Sequence, residues 1–143
     1  MATRTFSTMV QYQKMIEPLI TKALLSTSRI LAEKLRESID SQYYQDPYFY
    51  PKVYQRTNKF LDSASYQLIG KNMAEIFIDT DMMNYRNGFD ADQVVDWAGN
   101  SQHGADYYQT DTEDFWTHFE NYCEENVISI LRTELQKQGL KLI

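Results

Sequence analysis

The sequence predicts an α+β domain, with two long amphipathic helices (N- and C-terminal) packed with a small antiparallel hairpin and a long irregular loop. Three observations lead there. Apolar residues recur at three-and-four spacing from Ile16 to Ile39, and again from Phe115 to Leu135. Between these stretches the period falls to two over Ser65–Ile69 and Met73–Ile78. The 143 residues are enough for one core and not two, so residues 1–143 are expected to form a single domain.

Residues 1–6 read as a mobile or docking arm. Ser7 is the expected N-cap of a helical region over 7–40, with Ile16, Leu19, Ile20, Ala23, Leu24, Thr27, Ile30, Leu31, Leu35 and Ile39 along one stripe. Pro18 predicts a break or kink near Glu17, leaving a main helix of roughly 20 residues, about 30 Å long. Residues 43–63 form a Tyr/Pro corner and a short helix. Here Tyr43, Tyr44, Tyr48, Phe49, Tyr50, Tyr54 and Phe60 crowd around Pro47 and Pro51. Proline favours extended backbone at Asp46 and Tyr50, and Pro51 suits the first position of a helix over Lys52–Ser63. Tyrosine rings cover apolar surface yet carry a hydroxyl that needs a partner. The cluster reads as a corner cemented by half-buried rings, or as that corner with a subunit contact added. A catalytic tyrosine fits less well, because no base or cofactor motif lies beside it.

The two strands of 65–78, linked by Gly70-Lys71-Asn72, have the signature of a hairpin that must pack on the helices or gain strands from a neighbour. Residues 79–109 are expected to be an irregular loop, with one helical turn at Asp92–Trp97, that orders fully on assembly. In 110–138, Thr110-Asp111-Thr112-Glu113 has capping-box spacing, with Thr110 as N-cap. The buried face of this last helix should carry Phe115, Trp116, Phe119, Tyr122, Cys123, Val127, Ile130, Leu131 and Leu135. Gly139 is its expected stop, giving about 28 residues and about 42 Å.

The formal charge of −6 is unevenly laid out. Residues 1–86 hold 11 basic and 9 acidic side chains, net +2, whereas 87–143 hold 3 and 11, net −8. Such an acidic side disfavours a role in reading duplex grooves. It reads either as a solvated face or as a surface for a basic partner or a DNA passage. No window approaches 18 apolar residues, so no membrane partner is expected. One cysteine, Cys123, rules out an intrachain disulfide.

Catalytic residues are not expected. His118 lies five residues from Cys123, off the apolar face that carries the thiol, and His103 sits in the loop with Asp106 nearby. Asp79-Thr80-Asp81 and Asp90-Ala91-Asp92 place carboxylates two apart without completing a calcium loop, so the expected metal and cofactor complement is none.

The layout also resembles a known family. A helix ending LAEKLRESIDSQYY leads to the Tyr/Pro corner, PKVYQRTNKFLDSASYQL, an EIFIDTDMM strand, the pair His103-Gly104 and a helix ending LRTELQKQG. Over roughly residues 16–139 this is similar to the bacteriophage head–tail joining, or tail-completion, proteins of long-tailed phages. The most specific part is Tyr50-Pro51-x-x-Tyr54-x-Arg56-Thr57, followed by Leu61 and Ser63. The acidic stretch Asp79–Gln109 and its tyrosines depart from the pattern. The resemblance implies a non-enzymatic virion protein, made in the bacterial host cytoplasm. It would form a homo-oligomeric ring in the neck or upper tail, in contact with neck, portal or tail proteins and passing DNA without binding it specifically. A ring needs two complementary faces, and the charge asymmetry is a candidate pair. On this reading the interface residues are Tyr48, Tyr50, Tyr54, Arg56, Trp97, Tyr107 and Tyr108. Asp90, Asp92 and Asp96, or acids of the last helix, face the lumen or a basic partner. The alternative is a small acidic phage-encoded inhibitor or adaptor that captures a host protein.

Overall fold

A computed structural model describes residues 8–47, 59–83, 90–103 and 108–141. Its architecture is α+β, with two long helices, one short helix and two small antiparallel pairs of strands among the described residues.

Helix α1 spans Met9–Ile39 without a break. Its N-cap is Thr8, whose Oγ1 accepts from Gln11 N at 3.2 Å; Ser7, the expected cap, lies outside the described residues. Of the break or kink expected near Glu17, the break is absent: Pro18 sits inside a continuous helix of 31 residues rather than ahead of one of roughly 20. Proline removes one backbone donor, but the first turns of α1 are largely exposed, so water can satisfy the carbonyl left over. Thr21 Oγ1 donates to the carbonyl of Glu17 at 3.0 Å and to that of Lys71 at 2.8 Å, tying this stretch to the hairpin tip. The buried stripe then runs Ala23, Thr27, Leu31, Leu35, Ile39, as the periodicity predicts, with Ser28, Ala32 and Ser38 added.

After Ile39 the helix widens into one π turn over Asp40–Tyr44, which swings Tyr43 and Tyr44 onto the core. The edge of Tyr43 meets Phe60 at 5.6 Å between centroids, Phe60 meets Phe115 at 5.4 Å, and Tyr44 Oη accepts from Leu61 N at 3.2 Å. The described part of the corner is thus cemented by half-buried rings. Most of the helix expected at Lys52–Ser63 lies outside the described residues. Its end is a turn at Lys59–Phe60 followed by a 3-10 turn at Leu61–Ser63.

Strands β1 (Ala64–Leu68) and β2 (Ala74–Ile78) pair antiparallel, each one residue off the expected bounds. Gly70, at φ +86°, makes the left-handed step of the turn, and Ile69 N donates to Met73 O at 2.8 Å. Ala64, Ile76 and Ile78 pack on the core, where the hairpin finds the support that two strands need.

The expected irregular loop is more regular than its composition suggests. It holds a 3-10 turn at Thr80–Met82, helix α2 (Ala91–Gly99) and a two-residue pair, β3 (Gln102–His103) with β4 (Tyr108–Gln109). Both Asp-x-Asp spacings act as caps. Asp79 Oδ1 accepts from Asp81 N, and Asp90 Oδ1 accepts from Asp92 N, each at 3.1 Å.

Helix α3 covers Phe115–Lys137, 23 residues rather than about 28. Its N-cap is Asp114, not Thr110: Oδ1 accepts from Thr117 N at 2.9 Å and Oδ2 from Thr117 Oγ1 at 2.8 Å. Thr110 and Thr112 are drawn away to a buried carboxylate described below. At the other end Gly139 (φ +86°) donates to Gln136 O and Leu140 N donates to Leu135 O, a Schellman stop where glycine was expected. Ser38 lies against His118 and Lys34 over the ring of Tyr122, so α1 and α3 run antiparallel. The core between them holds Leu31, Leu35, Ile39, Phe60, Leu61, Met83, Ala98, Phe115 and Phe119.

Candidate functional site

Two clusters of polar side chains stand out. The first is buried and centred on Asp46, just past the π turn. His103 Nε2 donates to Asp46 Oδ2 at 2.9 Å, Thr112 Oγ1 donates to Oδ1 at 2.6 Å, and Thr110 Oγ1 donates to Oδ2. A carboxylate accepts at both oxygens, so it suits three converging donors. The ring of Tyr43 stacks flat on the imidazole of His103, centroids 4.4 Å apart. Thr110 and Thr112 reach the same acid across a bend at Asp111 and Thr112, just past β4. Ser101, in the left-handed region at φ 53°, closes the knot by donating from Oγ to Thr112 O at 2.6 Å.

A carboxylate that orients a histidine is half of a nucleophilic triad. Here the two side chains are 0% and 2% exposed, however, which closes the pair to a substrate. The knot ties His103, Thr110 and Thr112 to the chain just past α1. Charge-assisted hydrogen bonds out of contact with water are the strong ones, and these fix the three side chains relative to that end.

The second cluster lines an open cleft of about 310 Å³ between α1 and α3, formed by Lys34, Glu37, Ser38, Ser41, His118 and Tyr122. Ser38 Oγ and His118 Nδ1 share a hydrogen bond of 2.8 Å. Lys34 pairs with Glu37 at 2.7 Å and sits 5.4 Å from the centre of the Tyr122 ring. The hydrogen bond to Glu37 pushes the Lys34 ammonium above its ordinary range, with the acids and Tyr122 adding to the effect and desolvation opposing it. A serine beside a histidine invites a nucleophilic reading. Yet Ser38 is buried within a helix, and among the described residues no carboxylate orients His118.

Of the residues expected from sequence, Asp90, Asp92 and Asp96 are exposed along α2, with Asp90 capping it, and Trp97 is half-buried. Tyr48, Tyr50, Tyr54, Arg56 and Tyr107 lie outside the described residues, and Tyr108 is placed only as the first residue of β4. His118 meets Ser38 rather than Cys123. Burial pushes the Cys123 thiol up, aided by Glu120. The described residues contain no group of three or more His, Cys, Asp or Glu able to hold a metal ion, and no helix long and apolar enough to cross a membrane. Sequence reasoning missed Asp46 with its three donors, and Ser38. The Thr110/Thr112 alternation was the one available signal, and it was masked by its likeness to a capping box.

No curated protein and no solved structure matches the chain. A family model does, over residues 8–138, from the cap of α1 to the end of α3. The chain therefore belongs to the YomN family, a family associated with bacteriophages.

Proposed function

We propose that this phage protein is a structural subunit of the virion, assembling into a ring at the head–tail junction or upper tail around the DNA path. It acts through subunit contacts and carries out no reaction. The observation that carries this reading is where the polar chemistry lies. The Asp46–His103 pair is sealed inside, while Asp90, Asp92 and Asp96 of α2 and Glu120, Glu124 and Glu125 of α3 are displayed outside, Glu134 being the one buried acid of α3. A rigid body with a charged exterior suits a building block. Acidic walls around a DNA passage would also keep phosphates from adhering as the genome moves. The likeness to head–tail joining proteins and membership of a phage-associated family point the same way.

The test is to locate the chain in purified virions by mass spectrometry, then to replace Asp90, Asp92 and Asp96 together by Lys. Multiple copies per particle, with particle yield or DNA delivery impaired by the triple variant, are the expected results. A chain missing from virions and recovered with one host protein would replace this reading with that of an inhibitor or adaptor.

A further inference from the structure

Helices α1 and α3 pack through their inner sides, where Ser38 meets His118 and Lys34 covers Tyr122, so each presents an outer side to solvent. Those outer sides are unlike each other. On α1, Leu25 is 43% exposed, with Lys22 three residues before it and Arg29 four after it on the same face. On α3, Ile128 is 67% exposed, with Glu124 and Glu125 four and three residues before it and Glu120 a turn further. These five charged side chains are exposed, and none forms an ion pair among the described residues.

We propose that the Leu25 face of α1 binds the Ile128 face of α3 in a second copy of this chain. This deepens the ring reading and rests on it. One face offers an aliphatic centre with a cation on either side, and the other an aliphatic centre with carboxylates on its N-terminal side and Arg132 a turn beyond it. The two faces are therefore complementary to each other and repel copies of themselves. A contact between two different patches is heterologous, and heterologous contacts are the kind that close into rings. Leu25 and Ile128 meet at the centre, Lys22 and Arg29 face Glu124 and Glu125, and water is squeezed from both aliphatic side chains. Glu33, one turn past Arg29, and Arg132, one turn past Ile128, have the wrong sign for the pairing and mark its limits. A crossing of about 50°, the commonest for packed helices, confines the contact to a turn or two of each helix. Exposed ion pairs add little each. The single contact is accordingly weak and salt-sensitive, and ring closure or a docking surface supplies the rest.

Two charge-reversed chains test this, Lys22→Glu/Arg29→Glu and Glu124→Lys/Glu125→Lys, each checked for unchanged circular dichroism and melting. In the first both faces are acidic, and in the second both are basic. Sedimentation equilibrium at low salt should show wild-type self-association that weakens as salt is added. Each reversed chain alone should lose affinity by at least about tenfold, and an equimolar mixture should recover it, because every contact in the mixture again joins opposite charges. In a Cys123→Ala background, a Leu25→Cys chain and an Ile128→Cys chain should form a disulfide-linked pair when mixed under mild oxidation, and neither should dimerise alone. Self-association retained by both reversed chains overturns the assignment of these faces while leaving the ring reading to the virion test. Absence of the mixed disulfide at high protein concentration overturns it equally.

Discussion

Replacing Asp46 by Ala removes the acceptor for one buried donor, His103 Nε2, and two part-buried ones, Thr112 Oγ1 and Thr110 Oγ1. Thr110 has a fallback, since its hydroxyl already lies 3.4 Å from the Ser101 carbonyl. His103 and Thr112 lose the acceptor they share at Asp46. A buried donor left unmade costs about 1–3 kcal/mol, and a hydrogen bond to a charged group contributes about 1.5–3 kcal/mol. For His103 and Thr112 together these figures, which overlap rather than add, put the expected loss at about 3–5 kcal/mol. For a domain near this size each kcal/mol moves Tm by about 2–4 °C, which puts the drop at roughly 6–20 °C. Asp46→Asn keeps the shape and one acceptor oxygen, and should lose about half as much. The control is Asp62→Ala. That carboxylate also pairs with a cation, Arg36 at 3.2 Å, but its side chain is 58% exposed, and its loss should change stability by under about 1 kcal/mol. Urea unfolding followed by circular dichroism ranks the three variants. Hydrogen exchange at the Thr110 amide, which donates to Ser101 O, reports whether the segment tied to Asp46 opens first. If Asp46→Ala is no more damaging than Asp62→Ala, the knot does not hold the fold and the reasoning fails.

Two further outcomes follow from the helix end and the thiol. Asp114→Ala should destabilise by about 1 kcal/mol through loss of the α3 cap, whereas Thr117→Ala should cost less because the Thr117 backbone donor to Asp114 remains; chemical denaturation measures both. Because burial and Glu120 raise the Cys123 thiol, the folded chain should be alkylated by iodoacetamide more slowly at neutral pH than the urea-unfolded chain, and the rate should climb only as pH rises further into the alkaline range; equal rates in both states would contradict the burial effect.

Much of the architecture was legible in the chain. The three-and-four stripes named five of the eight buried residues of α1 and most of the packed face of α3, the alternation and Gly70 located the hairpin within a residue, and Gly139 marked the helix stop. All of these are local, because backbone periodicity and the left-handed freedom of glycine act within a few residues. The errors share a cause. The Thr110–Glu113 spacing satisfies a capping rule locally, yet the threonine hydroxyls gain more from a buried carboxylate than from free amides at an exposed helix start. Pro18 obeys a rule against helix interiors, yet the lost backbone bond lies where water can replace it and the surrounding turns remain helical. The Asp-x-Asp pairs, which do not complete a calcium loop in the sequence, cap short helical elements in the structure.

By itself the sequence determined the fold class, the helix faces, the hairpin and the division into a mildly basic and a strongly acidic portion. Each of these follows from composition or from neighbours a few residues apart. Only the tertiary structure decided that Asp46 would be joined to His103, Thr110 and Thr112 across 57 to 66 residues, and that His118 would meet Ser38 across 80. Hydrogen bonds between such distant side chains leave no periodic trace. Which polar groups become partners is settled when packing excludes water and leaves them no other choice.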